Sequence, residues 1–205
     1  MTSPHNPRDA AADAKAALRE AFLTRRRSRP ATERAAAAAS VTTALLRGLA
    51  GVRAFAAFVP DELEPGHGRL PAAYTQLGTR VLLPVVPSEG RELAWAVDTG
   101  RLGPGRFGLL EPLGPRLGAT AIGTADVVVV PALAVARDGV RLGRGGGYYD
   151  RALQHVRPGA TLVAVVFDDE LVDELPDEPH DLRVTAVVTP SGGWRALDSS
   201  GRAAH

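Results

Sequence analysis

The stretch Asp126–Leu153, DVVVVPALAVARDGVRLGRGGGYYDRAL, decides how this chain is read. It opens on an unbroken apolar run, the pattern of a strand covered on both faces. A loop follows, then Gly143, Gly145, Gly146 and Gly147, then a helical pattern starting near Tyr148. Consecutive glycines let the backbone curl so that successive N–H groups converge on an anion. A helix start adds its own unsatisfied N–H groups. Arg141 and Arg144 place full positive charge beside that nest, and the segment reads as a phosphate cradle. The alternative is a plain glycine-rich hairpin, which two arginines, two tyrosines and an acid around the glycines disfavour.

The familiar phosphate fingerprints fail here. GxxxxGK[ST] has no lysine or hydroxyl after the glycines, and GxGxxG would need glycine at Tyr148. Asp168 ends the next strand-like run roughly 20 residues on, where a ribose-binding acid would sit in a dinucleotide fold. That motif needs a tight turn after its strand, however, and Pro131 to Leu142 intervene.

Working outward, the spacing predicts helices over Asp9–Arg29, with Ala14, Leu18, Ala21 and Phe22 as the apolar stripe, and over Thr32–Leu49. The second would bury Ala35, Ala38, Ala39, Thr42, Leu45 and Leu46. Pro30 separates the two helices, and Gly48 and Gly51 bracket the end of the second. Valine-rich strands are expected at Val52–Val59, Thr79–Val86, Leu93–Val97, Asp126–Val130, Thr161–Phe167 and Val184–Thr189. Helical stretches fall at Gly68–Leu77 and Tyr148–Val156. Alternation of this kind predicts an α/β fold, one domain with a mostly parallel sheet sandwiched between helices. Gly100–Gly118 reads as a long surface loop. The expected domain spans residues 9–194, with tails at 1–8 and 195–205.

Composition narrows the function classes. The 205 residues carry 24 basic and 23 acidic side chains, a formal net charge of +1, so no global field selects nucleic acid or an anionic membrane. No cysteine is present, which excludes disulfides, thiolate metal sites and cysteine nucleophiles. The first fifteen residues hold no apolar core of a signal peptide, and Val127–Ala136 is too short to span a bilayer. The expectation is a soluble, cytoplasmic protein.

Further candidates are weighed singly. Lys15, the lone lysine among 23 arginines, lies four residues before Arg19, so both project from one helical face. Spacing alone favours a solvated surface for the pair. Arg25, Arg26, Arg27 and Arg29 cluster at a helix C-terminus, which the dipole favours; an RNA contact there lacks interleaved aromatics. Asp150 and Asp181 suit a hard cation that takes one or two carboxylates and completes its shell from phosphate and water. Glu62, just beyond a strand end, sits where ligands bind in open α/β sheets, and Glu111 shares that ambiguity. His180 reads as structural.

The run DVVVVPALAVARDGVRLGRGGGYYDRAL resembles the signature of the 5-formyltetrahydrofolate cyclo-ligases, or methenyltetrahydrofolate synthetases. KAALR at Lys15–Arg19, DELEP, GTRVLLPVVP, GLLEP and FDDELVDELPDEPHDLRVTAVVTPSGGW follow in that family's order, so the resemblance covers residues 13–194. It implies an enzyme that uses MgATP to convert 5-formyltetrahydrofolate to 5,10-methenyltetrahydrofolate through a phosphorylated formyl group. It further implies that Lys15, Arg19, Arg141, Leu142, Gly143, Arg144, Gly145, Gly146, Gly147, Tyr148 and Tyr149 bind ATP. Glu62, Arg144, Gly145, Gly146, Gly147 and Tyr148 would contact the folate. Asp150 and Asp181 would hold Mg2+, and Arg144, Tyr148 and Asp150 would serve the chemistry. The partners implied are the two substrates, with no nucleic acid and no membrane, and the chain is expected to be a monomer. Glu64 and Pro65 stand where the family usually has aspartate and threonine, Glu170 where glutamine is frequent, and Thr185 where aspartate is. A non-catalytic binding paralogue and a Rossmann-type oxidoreductase are the competing readings.

Overall fold

The computed structural model describes residues 7–177 and 182–197. Helix α1 (Pro7–Ser28) and helix α2 (Ala31–Gly48) are divided by Pro30, whose extended ψ of 145° ends one helical path before the next begins. The strands that follow are β1 (Ala54–Ala56), β2 (Arg80–Val85), β3 (Ala94–Val97), β4 (Leu102–Pro104), β5 (Leu110–Pro112) and β6 (Arg116–Leu117). After them come β7 (Val127–Pro131), β8 (Ala134–Ala136), β9 (Arg141–Leu142), helix α3 (Tyr148–Ala152), β10 (Thr161–Val165), β11 (Leu171–Val172), β12 (Ala186–Thr189) and β13 (Gly193–Ala196).

The main sheet runs β13-β12-β10-β7-β1-β2-β3-β6. Its centre, β12 to β2, is parallel throughout; β13, β3 and β6 pair antiparallel at the edges. The expected α/β class with a mostly parallel sheet is therefore the observed one. Unbroken apolar strands are explained by two cores. Phe55, Val81, Leu83, Val127, Val129, Val163 and Val165 face α2, where Val41, Leu45 and Leu49 pack on them. Ala56, Leu82, Val128, Val130, Leu162 and Ala164 face the other layer, with Ile122, Ala152 and Leu153. Each alternate residue has an apolar destination, so neither face needs polar side chains.

A small second sheet, β11-β8-β9, rises from the C-terminal end of β7 and receives Phe22 of α1 on Leu133, Ala134 and Leu142. This sheet bears directly on the site, because β9 leads straight into the glycine cluster.

Several expectations need correction. Gly100–Gly118 is not an open loop: β4 and β5 form a hairpin, and β6 joins the main sheet. Its strands are short and end in prolines, so periodicity could not show them. The stripe expected on α1 is rotated, since Ala14 and Ala21 are exposed. On α2, Ala35 is exposed while Ala37 and Val41 are buried. The helix at Gly68–Leu77 is a 3-10 turn over Ala72–Leu77, and α3 is only five residues long before it tightens into a 3-10 turn at Leu153–His155. Pairing continues past Trp194, because β13 extends to Ala196. Trp194 lies against α2 at Gly48, where an added Cβ would fall 2.3 Å from the indole.

Candidate active site

The parallel strands β1, β7 and β10 end on one side of the sheet, and three segments meet there. They are the glycine loop after β9, the Pro60–Pro65 loop after β1, and one face of α1. The loop Gly143–Gly147 needs its glycines locally: Gly145 and Gly147 have φ of 87° and 70°, in the left-handed region. Gly145 also admits α1, since a Cβ there would lie 3.3 Å from the Arg19 guanidinium. Arg19 Nε donates to the Gly143 carbonyl at 2.9 Å, fastening the loop to the helix.

The face of α1 turned inward is Lys15, Arg19, Phe22 and Arg26, continued by Arg29 just past the helix end, a stripe whose members are mostly cations. Lys15 is 7% exposed, so the solvated-surface reading of this residue is overturned. Apolar periodicity found only Phe22 and Leu18 of the inward side, because the rest of the buried face is charged. Arg26 is wholly buried and forked onto Glu170: Nε to Oε1 and Nη2 to Oε2, both 2.7 Å. Its Nη2 also donates to the Ala132 carbonyl at 2.7 Å, and Glu170 Oε2 accepts the Phe167 N–H. Arg29 stacks on the Phe167 ring at 4.0 Å and pairs with Asp169, which Arg25 also meets. Arg26 and Arg29 are thus engaged within the protein, while Arg25 and Arg27 stay half exposed, Arg27 pairing with Glu20.

Both arginines of the glycine segment hold a carboxylate. Arg141 Nη2 donates to Asp150 Oδ1 at 2.5 Å, with the arginine side chain 6% exposed and the acid 46%. Arg144 Nη2 pairs with Asp61 Oδ2 at 2.5 Å and lies 3.6 Å from Glu64 Oε1. Asp61 sits in a self-closed turn: its Oδ1 accepts the Leu63 N–H, its own N–H donates to Glu64 Oε2, and the Glu64 N–H donates to its carbonyl. Burial, and then the neighbouring Asp61 charge, push the Glu64 carboxyl up to about 7, while Arg144 pulls it partly back. The Tyr149 phenol is raised as well, by burial first and then by Glu64, with Arg141 opposing. The Tyr149 hydroxyl, the Tyr74 hydroxyl and Arg141 Nε are buried without a hydrogen-bond partner among the described residues.

Of the residues singled out from sequence, Arg19, Arg141, Leu142, Gly143, Arg144, Gly145, Gly146, Gly147, Tyr148, Tyr149 and Asp150 lie on or beside this loop. Glu62 is exposed on the turn facing it. Asp181 and His180 fall outside the described residues. Glu111 is a structural clip, its Oε1 accepting the Val86 N–H. Asp168 accepts from the Ser191 N–H and hydroxyl, so it anchors a turn instead of waiting for a ribose. Thr185 sits at the opposite end of the sheet, bonded to Leu162, and that departure from the family pattern leaves the cleft untouched. Sequence reasoning did not single out Asp61 or the Arg26–Glu170 pair. The signals available were the Asp-x-x-Glu turn spacing and the 4-3-4-3 stripe of Lys15, Arg19, Phe22, Arg26 and Arg29.

Among the described residues no three His, Cys, Asp or Glu side chains group as a metal cage, and no helix is long and apolar enough to cross a membrane. A family model described as the 5-formyltetrahydrofolate cyclo-ligase family matches residues 11–190. A Mycolicibacterium smegmatis protein named 5-formyltetrahydrofolate cyclo-ligase is 46% identical over 193 residues, covering 89% of this chain and 97% of that protein. The Escherichia coli K12 protein of the same name is 46% identical over 70 residues, 34% of this chain and 38% of its own. The solved 5,10-methenyltetrahydrofolate synthetase of Aquifex aeolicus superposes with a TM-score of 0.74 at 28% identity, covering 93% of this chain and 96% of that one. The Mycoplasma pneumoniae synthetase, at 20% identity and a TM-score of 0.67 over 84% and 96% of the two chains, shares the fold. With the match running through both cores, the α1 stripe and the glycine loop, the chain belongs to the 5-formyltetrahydrofolate cyclo-ligase family.

Proposed function

We propose that the chain converts 5-formyltetrahydrofolate to 5,10-methenyltetrahydrofolate at the expense of ATP, with Mg2+, releasing ADP and phosphate. The observation that carries this reading is the convergence of Arg19, Arg141 and Arg144 on one glycine loop at the C-terminal ends of the parallel strands, in a chain of this family. Ligands of open α/β sheets bind on that side.

An amide oxygen is a weak nucleophile and a poor leaving group, which is the chemical problem the site must solve. The formyl oxygen attacks the γ-phosphorus, its bond to the ADP oxygen breaks, and the formyl carbon becomes electrophilic. N10 then attacks that carbon and loses its proton. Phosphate departs with the former formyl oxygen, leaving the methenyl bridge. Phosphoryl transfer of this kind asks the protein mainly for positioning and for positive charge around the moving group. Lys15, Arg19 and the segment Arg141–Tyr149 are proposed to hold the nucleotide. Arg144 and Tyr148 would meet both substrates, and Glu62 would meet the folate.

Asp150 suits magnesium: it is half exposed beside the loop, and a cation of this type needs one or two carboxylates when phosphate and water supply the rest. Asp181 is the second proposed ligand. The ion, when bound, neutralises charge on the phosphate oxygens. We further propose a cytoplasmic location, which fits the proposed use of ATP as cosubstrate, and a monomeric state. Incubation with 5-formyltetrahydrofolate, with and without MgATP, followed by methenyl absorbance and ADP release, tests the assignment. Equal amounts of ADP and methenyl product are expected, and product without nucleotide would overturn it. Nucleotide and folate binding with no turnover would favour a non-catalytic paralogue.

A further inference from the structure

Arg144 is not held by the glycine loop that carries it. Its fixed partner is Asp61, across the cleft, at 2.5 Å, with Glu64 standing 3.6 Å away. The two sides of this contact differ in stiffness. Asp61 is locked by its own turn through three hydrogen bonds that do not involve Arg144. Arg144 rises from exposed backbone between Gly143 and Gly145, and its side chain is 44% exposed. An anion that takes Arg144 must therefore draw it away from a carboxylate that stays in place. Arg141, beside it, is likewise engaged by Asp150.

We propose that Asp61 is a positioning residue that competes with phosphate groups for Arg144 and so lowers the affinity of the glycine loop for them, lone inorganic phosphate included. The proposal rests on the nucleotide lying at the glycine loop. Every anion entering there loses the same Asp61–Arg144 contact. Both affinities fall by the same factor; a triphosphate, with many other contacts along the loop, still binds, whereas a single phosphate with few is readily released. Since the reaction itself releases phosphate, this exchange also favours departure of that product. Asp61 touches neither substrate in this account and acts only through Arg144.

Asp61→Asn is the direct test. Asparagine retains the oxygen that accepts the Leu63 N–H, so the turn survives, but Arg144 loses its close carboxylate and keeps only Glu64 at 3.6 Å. Inhibition by inorganic phosphate should strengthen about three- to fivefold, the scale of a partly exposed ion pair. In an Arg144→Ala background the same substitution should leave phosphate affinity unchanged, read without turnover by competition against ADP in calorimetry. A merely structural role would weaken anion binding or leave it alone, and would not strengthen it. Unchanged or weaker phosphate inhibition in a variant that melts with the wild type overturns the proposal. If Asp61→Asn unfolds, Asp61→Ser, whose hydroxyl can still accept the Leu63 N–H, carries the same expectation and the same refutation. Failure of the underlying reading looks different: Arg144→Ala alone would then leave ADP affinity, measured by calorimetry, at the wild-type value, and the role of Asp61 would fall with it.

Discussion

Replacing Glu170 with alanine removes the anionic half of the most deeply buried ion pair among the described residues. Arg26 and Glu170 side chains are both 0% exposed. The carboxylate accepts Arg26 Nε, Arg26 Nη2 and the Phe167 N–H, so truncation strands three donors and one full charge together. Arg26 would keep the Ala132 carbonyl as an acceptor, while its Nη1 already lacks a partner. Breaking a buried pair from one side costs about 3–5 kcal/mol. For a chain of this size that lowers the melting midpoint by about 6–20 °C. Glu170→Gln keeps the shape, but its amide nitrogen must face a donor from either position, so an intermediate loss is expected. Asp173→Ala is the control: its pair with Arg137 is 69% and 85% exposed, and the midpoint should move by less than about 2 °C. The assay is thermal unfolding followed by circular dichroism, with all three variants at one pH and salt. A Glu170→Ala midpoint within about 2 °C of wild type would refute the claim that this pair docks α1.

The other predictions are more local. Lys15→Ala should weaken ATP binding and also lower the melting midpoint, since the residue is buried; an unchanged ATP affinity by calorimetry would leave it a packing role only. Glu62→Ala should raise KM for 5-formyltetrahydrofolate while nucleotide affinity holds, and the reverse pattern would show that the folate loop is misassigned. Glu64 gives a pH signature: its folded value of about 7 exceeds the unfolded 4.5, so its contribution to stability is complete below pH 4.5 and is lost as pH rises through 7. Glu64→Gln should flatten that fall, by up to about 3 kcal/mol across the window, in denaturant titrations at successive pH values; parallel wild-type and variant profiles would remove the case for a buried acid. Asp150→Asn should depress turnover with partial rescue at high magnesium, whereas near-wild-type turnover at every magnesium level would leave Asp150 only as the partner of Arg141.

What the sequence made legible was whatever apolar patterning encodes. Val127–Val130 and Leu162–Val165 announce doubly covered strands because each residue faces one of two cores. The glycine loop was legible for a different reason, since positive φ at Gly145 and Gly147 restricts side chains and leaves a compositional trace. On α1 the same reasoning failed. Alanine there is a helix former with no destination, while besides Phe22 the residues that reach the interior are cations, and Arg19 and Arg26 find their partners far along the chain, at Gly143 and Glu170. No local pattern records such a partner. The hairpin of β4 and β5 escaped for a third reason: its strands are three residues each, too short for a period of two to register.

The buried cations of α1 also explain how the site keeps its shape. Apolar pairs that replace buried ion pairs often pack as stably, but apolar contact is non-directional and lets a helix rotate or slide. Arg26 and Arg19 lie two turns apart on α1, about 10.5 Å along its axis. Arg26 donates to the carbonyl of Ala132, just before β8, and Arg19 to the carbonyl of Gly143, just after β9. The two guanidiniums therefore hold the small hairpin at both ends, and that hairpin carries Arg141 and delivers the glycine loop. Directional bonds at two fixed points set both the rotation of α1 and its position along its axis. Lys15, one turn before Arg19, is brought to the same side by the same constraint. The N-terminal cation of the site and its glycine loop, far apart in sequence, are thus held as one body, and loosening Glu170 should weaken nucleotide binding before the sheet itself is disturbed.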